Sequence, residues 1–143
     1  MSDQAGYSGT PLAQKIGLKD GQRVLFVDLP VELEELATAR AFRAADRASW
    51  KTWQEGAPGY DAVHGFTTSR EVLESNAKPL MAAIARDGMI WLSWPKKASK
   101  VATDITEDVI REVVLPIGLV DVKVAAVDAV WSGLKLVIRK ELR

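Results

Sequence analysis

Three lysines and two hydroxyl residues near position 100 form the group of side chains best suited to bind a ligand. Ammonium groups and hydroxyl donors together favour a phosphate or a carboxylate. The stretch follows a predicted central strand and precedes a predicted helix, where open α/β sheets usually place ligands. The candidate residues are Trp94, Lys96, Lys97, Ser99, Lys100, Thr103 and Asp104. We therefore predict a site here for a small anionic ligand or a protein partner.

The same stretch is equally compatible with a solvated basic loop. Asp104, Glu107 and Asp108 follow the lysines closely and would neutralise their charge. The residue types alone do not separate these two interpretations, and both stay open.

A second candidate site lies near the carboxyl end, at Trp131, Ser132 and Lys135. A tryptophan at a hairpin tip would stack on a planar ligand, and the lysine would meet an anion. In the other interpretation, which we favour, Trp131 covers the open edge of the sheet and Gly133 serves the turn. Both interpretations hold if Trp131 closes over the lysines.

Composition excludes several classes of site. The chain has 143 residues, one histidine (His64) and no cysteine, which removes Cys-ligated zinc, thiol catalysis and His-based metal clusters. No Gly-x-Ser-x-Gly elbow is present to hold a serine nucleophile, so we expect His64 to be a buried or edge histidine satisfied by a neighbour rather than a catalytic one. One cluster of three lysines, in a chain with 19 basic and 19 acidic residues, falls short of the roughly six to ten phosphate contacts that nucleic-acid binding needs.

The sequence carries no sign of a membrane or secretory protein. Its longest apolar runs, such as residues 89–92, fall far short of the ~20 residues of a membrane helix. The amino end lacks a basic region followed by an apolar stretch. We therefore expect a cytoplasmic protein with no membrane partner.

Apolar patterning predicts strands that alternate with helices. Short continuous apolar runs predict strands buried on both faces, and apolar residues three and four apart predict helices. The predicted strands cover residues 23–28, 49–54 (an edge strand), 60–66, 89–94, 120–127 and 134–139. The predicted helices cover residues 31–45, about 69–86 and 109–114, after a short amino-terminal helix. Pro79 predicts a kink or a break near Lys78.

This order of elements predicts the fold class. Alternating strands and helices imply an open parallel sheet, and the last two strands are close enough in sequence to form a hairpin. The prediction is an α/β fold: an open, mainly parallel, Rossmann-like sheet with an antiparallel carboxy-terminal hairpin and helices on both faces, as in class I methyltransferase-like domains. Residues 1–20 would form a lead and a short helix, and residues 21–143 a single domain.

Several motifs outside residues 30–60 are specific enough to compare with known families. The stretches are Ser8-Gly9-Thr10-Pro11-Leu12, Lys15-Ile16-Gly17, Ser93-Trp94-Pro95-Lys96-Lys97, Thr103-Asp104, Leu115-Pro116, Gly118-Leu119-Val120-Asp121-Val122-Lys123-Val124 and Trp131-Ser132-Gly133-Leu134-Lys135-Leu136-Val137. Together they resemble the bacterial domain-of-unknown-function family 3052. The resemblance implies kinship with that family and brings no particular reaction with it.

The turn after the first strand argues against the cofactor of methyltransferases. Dinucleotides and S-adenosylmethionine bind beside a glycine-rich turn, but residues 27–32 contain no glycine and Pro30 lacks an amide donor. Glu32, Glu34 and Glu35 place carboxylates at the start of the next helix, where they would repel a phosphate.

We therefore favour a binding or regulatory module with a degenerate methyltransferase-like fold and no cofactor over an enzyme. The alternative is an S-adenosylmethionine-dependent methyltransferase with a non-standard cofactor pocket. Self-association also stays open, because an uncovered sheet edge invites pairing.

Overall fold

The computed structural model describes residues 11–143. The predicted lead of residues 1–10 lies outside the described residues. Helix α1 (Leu12–Ile16) begins directly after Pro11 and ends at Gly17, whose φ of 86° is left-handed. Both boundaries follow from residue type, because proline suits a helix start and glycine tolerates a left-handed cap.

A six-stranded sheet forms the centre of the described chain. Its strands are β1 (Arg23–Val27), β2 (Ala44–Ala48), β3 (Tyr60–Phe66), β4 (Ile84–Pro95), β5 (Leu119–Ala126) and β6 (Trp131–Ile138). They lie in the order β2-β1-β3-β4-β6-β5. The first four strands are parallel, and β6 is antiparallel to both β4 and β5.

Helices cover both faces of this sheet. On one face, here called the α2 face, α2 (Arg70–Ala83) and α3 (Glu107–Val114) bury apolar residues such as Leu80 and Ile110 against the strands. On the opposite α1 face, α1 and a 3₁₀ helix (Val31–Thr38) bury Ile16 and Leu36. The predicted fold class is confirmed: the chain forms a mainly parallel α/β sheet with an antiparallel carboxy-terminal hairpin.

The predicted helix over residues 31–45 and the predicted edge strand over residues 49–54 are wrong. The helix is 3₁₀ and ends at Thr38, and the edge strand is β2, which pairs with β1 from Ala44 to Ala48. Pairing with β1 outweighs the helix propensity of this alanine- and arginine-rich stretch. Residues 49–54 form a turn and the start of a second 3₁₀ helix, Trp53–Glu55.

Strand β4 is longer than predicted because it begins where α2 ends. Of the kink or break predicted near Lys78, the break is wrong, since α2 continues through Pro79 to Ala83. The residues between the predicted helix and the predicted strand over 89–94 form an irregular part of β4. Tyr60 pairs with Ile84 and Ala62 with Met89, so two steps along β3 match five along β4. The extra residues of β4 therefore bulge out of the ladder.

Strand β5 is the sheet edge next to β6, and it contains a second irregularity. Asp121 pairs with Leu136 and Lys123 with Lys135, so Val122 is an extra residue. Asp121 accepts a hydrogen bond from Arg111 of α3, whereas Lys123 donates to the carbonyl of Lys15 in α1. Asp121 thus faces the α2 side of the sheet and Lys123 faces the α1 side, although a regular strand would place residues two apart on the same side.

No helix within residues 11–143 is long and apolar enough to cross a membrane.

Candidate functional site

The predicted lysine site follows the carboxyl end of β4. We call residues 96–104 the lysine loop. Its first part turns as a 3₁₀ helix, Lys97–Ser99, and Lys100 ends that turn with a left-handed φ of 63°. The backbone N–H of Lys96 donates to the carbonyl of Val130 at 2.7 Å, which anchors the loop to the hairpin. The loop therefore lies at the sheet edge where parallel strands end.

The two hydroxyls of the lysine loop are engaged inside the protein. Ser99 Oγ donates to the carbonyl of Lys96 at 2.7 Å and accepts from the backbone of Val101. Thr103 Oγ1 donates to the carbonyl of Thr68 at 2.8 Å. Because a hydroxyl has only one proton to donate, both side chains shape the loop, and its lysines are the groups it presents to an anion.

Asp104 ties the lysine loop to helix α2. Its Oδ1 accepts the backbone N–H of Arg70, the first residue of α2, at 2.7 Å. The helix after the loop is capped by another residue: Thr106 accepts from the N–H of Val109 at 3.1 Å. The carboxylate of Asp104 thus satisfies an otherwise unpaired donor at the start of α2.

The carboxylates that follow the lysines are paired with an arginine. Asp108 lies 3.0 Å from Arg111, Glu107 contacts the same guanidinium, and Asp121 of β5 binds it at 3.0 Å. Hydrogen bonds that Arg111 donates to Asp121 and Glu107 raise its pKa above the usual range of an arginine. Within residues 11–143, the three lysines of the loop make no ion pair of their own.

The other predicted site residues lie on β4 and β6 rather than in the lysine loop. Trp94 is buried in the core of the α2 face. Trp131 is the first residue of β6 rather than the tip of the hairpin, and its ring meets Phe66 edge-on at 5.3 Å on the α1 face. Ser132 is its neighbour in β6, paired with Trp94.

Lys135 does not share the edge that carries the lysine loop. It pairs with Trp91 in β4, four residues along β6 from Trp131, or about 13 Å along the strand. The structure therefore brings together the six candidates from Lys96 to Asp104, places Trp131 and Ser132 beside them, and leaves Lys135 in the middle of the sheet.

Trp50, which is not among the predicted site residues, also lies at this edge of the sheet. Trp50 follows β2, and its indole Nε1 donates to the carbonyl of Phe66 at 2.8 Å. Its ring covers Gly65, where an added Cβ would lie 2.6 Å from the indole Cη2. The glycine inside the strand Tyr60–Phe66 is the signal that could have indicated this close approach.

A groove of about 450 Å³ lies beside Trp50, at the ends of β1 and β2 and against the first turns of α2. Its polar lining residues include Asp28, Ser49, Glu71 and Asn76. Asp28, directly after β1, takes a left-handed φ of 56°, a conformation that glycine adopts more easily. The turn thus has the backbone shape of a glycine turn but carries a carboxylate.

His64 lies in the core of the α1 face, as predicted for a buried histidine with a neighbour to satisfy it. Its Nε2 lies 2.7 Å from Ser93 Oγ, and its ring stacks on Phe66 at 4.2 Å. Burial lowers the pKa of the imidazole from 6.5 to about 3. His64 Nδ1 is buried and has no partner in the described chain. Among residues 11–143, no group of three or more histidine or carboxylate side chains is placed to hold a metal ion.

The fold of this chain is that of known methyltransferases. No family model matches the chain, and no curated protein matches it. A methyltransferase from Aquifex aeolicus that depends on S-adenosylmethionine is 14% identical, with a TM-score of 0.63 over 89% of this chain and 87% of that one. Magnesium protoporphyrin IX methyltransferase from Synechocystis, solved with bound S-adenosylmethionine, is 15% identical, with a TM-score of 0.60 over 90% of this chain and 74% of that one.

A third solved structure, a TehB-like methyltransferase from Corynebacterium glutamicum, is 11% identical, with a TM-score of 0.55 over 90% of this chain and 85% of that one. At such identities the likeness concerns architecture alone. The chain therefore has the Rossmann-like fold of S-adenosylmethionine-dependent methyltransferases.

Proposed function

We propose that this chain is a non-enzymatic binding module whose lysine loop holds the anionic group of a small ligand or of a protein partner. The observation that carries the proposal is the distribution of ion pairs around the loop. Glu107 and Asp108 form their ion pairs with Arg111 and form none with the three lysines. Three ammonium groups are left to attract an anion at the edge where open α/β sheets bind ligands.

The surrounding contacts suit a loop that binds without large rearrangement. Asp104 and Thr103 hold its carboxyl end against the start of α2, and the Val130 carbonyl holds its amino end. The lysines extend from a backbone that is tied at both ends, which lowers the entropic cost of binding. A multivalent anion such as a pyrophosphate would engage more than one of them.

A thermal-shift panel tests the proposal. The probes are phosphate, pyrophosphate, nucleotides, acyl-CoA compounds and S-adenosylmethionine. A ligand at about one hundred times its dissociation constant stabilises a fold by ~2.7 kcal/mol, which raises the melting temperature of a domain of this size by roughly 5–10 °C. We expect a polyphosphate compound to give such a shift.

Two matched triple variants test whether the shift in melting temperature depends on the lysine loop. The triple substitution Lys96→Gln, Lys97→Gln and Lys100→Gln should remove most of the shift. The same loss of charge at three exposed lysines elsewhere, Lys19, Lys78 and Lys140, should leave it intact. Equal responses in the two triple variants would contradict an anion site at the loop, and a flat panel with the wild-type chain would contradict its small-ligand form.

One observation favours a second candidate function, an S-adenosylmethionine-dependent methyltransferase with a non-standard pocket. The groove beside Trp50 lies at the ends of β1 and β2 and offers the carboxylates of Asp28 and Glu71 to hydroxyl or amino groups of a ligand. If this function is correct, S-adenosylmethionine raises the melting temperature of the wild-type chain. Asp28→Ala then abolishes that shift, while the triple lysine variant retains it.

A further inference from the structure

The indole of Trp50 is held by two contacts with the last residues of β3. Its N–H donates to the Phe66 carbonyl at 2.8 Å, and its ring lies over Gly65. The ring comes so close to Gly65 that an added Cβ would lie 2.6 Å from Cη2 and 2.8 Å from Cζ2. Gly65 therefore provides a flat surface for a planar ring, with a hydrogen-bond acceptor beside it.

This surface lies at the ends of β1 and β3, two neighbouring strands whose following segments lie on opposite faces of the sheet. Val27, the last residue of β1, pairs with Gly65 of β3. After β1 the chain forms the 3₁₀ helix of the α1 face, and after β3 it forms α2 on the other face. A crevice opens where neighbouring parallel strands lead to opposite faces, and such crevices are where open α/β sheets bind ligands.

We propose that Trp50 is an intramolecular plug, which occupies this crevice in place of a ligand. An external molecule enters only when the indole leaves. The contacts define what would compete with it: a planar heteroaromatic ring that carries an N–H donor for the Phe66 carbonyl. The inference is independent of the lysine loop, because it rests on other residues.

The surroundings of Trp50 agree with a plug that can be displaced. The side chain is only half-buried, and its neighbours in the chain, Ser49 and Lys51, are partly or fully exposed. The adjacent groove of about 450 Å³ gives an incoming ligand room beside the ring. By contrast, Trp53 is buried and donates to Asn76 of α2 at 2.8 Å, so it holds the far end of the segment in place.

The experiment removes the indole of Trp50 by substitution and supplies free indole in solution. Trp50→Ala should lower the melting temperature, and free indole at millimolar concentration should raise it again by several degrees while leaving the wild-type chain unchanged. We expect 1-methylindole, which lacks the N–H, to restore less than half as much. Trp131→Ala, the loss of another half-buried tryptophan, should show no such recovery.

Each outcome bears on the plug. If Trp50→Ala folds and indole has no effect, the crevice does not accept a ring and the proposal is wrong. If the variant is unfolded alone, recovery of its circular dichroism by indole supports the proposal, and failure to recover counts against it. Equal recovery by 1-methylindole would overturn the assignment of Phe66 as the acceptor.

Discussion

His64 shows how far the surroundings of a single residue control its chemistry. Its ring lies among Phe26, Phe66 and Trp91, and its hydrogen bond is to a neutral serine, so no charge nearby supports a proton. The imidazole is therefore neutral in the folded protein. His64 packs as an aromatic core residue and does not act as a base. Sequence reasoning predicts burial here, but the partner Ser93 is 29 residues away and only the pairing of β3 with β4 reveals it.

The lowered pKa of His64 predicts acid sensitivity. The folded-state pKa is about 3, below the unfolded value of 6.5, so the stabilisation is complete above pH 6.5 and is lost as the pH falls toward 3. Between pH 7.5 and pH 5 this residue should cost about 2 kcal/mol of unfolding free energy. Urea unfolding at the two pH values measures the change, and His64→Gln, which does not titrate, should remove that part of it. An identical pH dependence in the variant would show that other groups are responsible.

At the scale of elements, the lysine loop and helix α2 depend on each other. Asp104 is one of the residues that the sequence singles out for binding, and in the structure it accepts the N–H of Arg70. Asp104→Ala should therefore lower the unfolding free energy by about 1 kcal/mol, as expected for the loss of a helix-end acceptor. Urea unfolding tests this, and Asp104→Asn, which keeps an oxygen, should be affected less.

Asp108→Ala provides the comparison for that prediction. Its side chain is 86% exposed and pairs with Arg111, so the substitution should cost only a fraction of a kcal/mol. Equal costs at the two positions would indicate that the contact between Asp104 and Arg70 does not stabilise α2.

The sequence predicts a strand or helix correctly where the local residue pattern favours the same structure as the pairing of the strands in the sheet. β1, β3 and most of β4 are mainly apolar, and apolar residues at helical spacing predict α2 and α3 to within three residues of their observed bounds. Residues 39–55 are different, because β2 is short and half exposed and its pairing with β1 decides its conformation. The lysine loop is also found from sequence, since its residues are contiguous. The Trp50 plug is not, because Gly65 and Trp50 meet only after the sheet has formed.

At the scale of the whole molecule, one sheet separates two apolar cores. Leu36 of the 3₁₀ helix lies in the core of the α1 face, and Leu80 of α2 lies in the core of the other face. Replacing either by alanine should cost about 2–5 kcal/mol. Because the sheet lies between the two sites, their effects in the double variant should add to within roughly 0.5 kcal/mol.

Guanidinium unfolding of the single and double variants measures this additivity. A large coupling between Leu36 and Leu80 would mean that the sheet transmits packing changes from one face to the other. Additive losses with a single transition would mean that the two cores are independent in energy but unfold together.

The extra residue in β5 lies between two residues whose side chains face opposite sides of the sheet. Although residues two apart in a regular strand face the same side, the bulge at Val122 lets Asp121 reach α3 while Lys123 reaches α1. If Val122 were deleted, Asp121 and Lys123 would become neighbours in a regular ladder with Leu136 and Lys135, and their side chains would still face opposite sides of the sheet. The loss of this one exposed valine therefore preserves both contacts, whereas the loss of one residue elsewhere in the strand would turn the side chains beyond it to the other side.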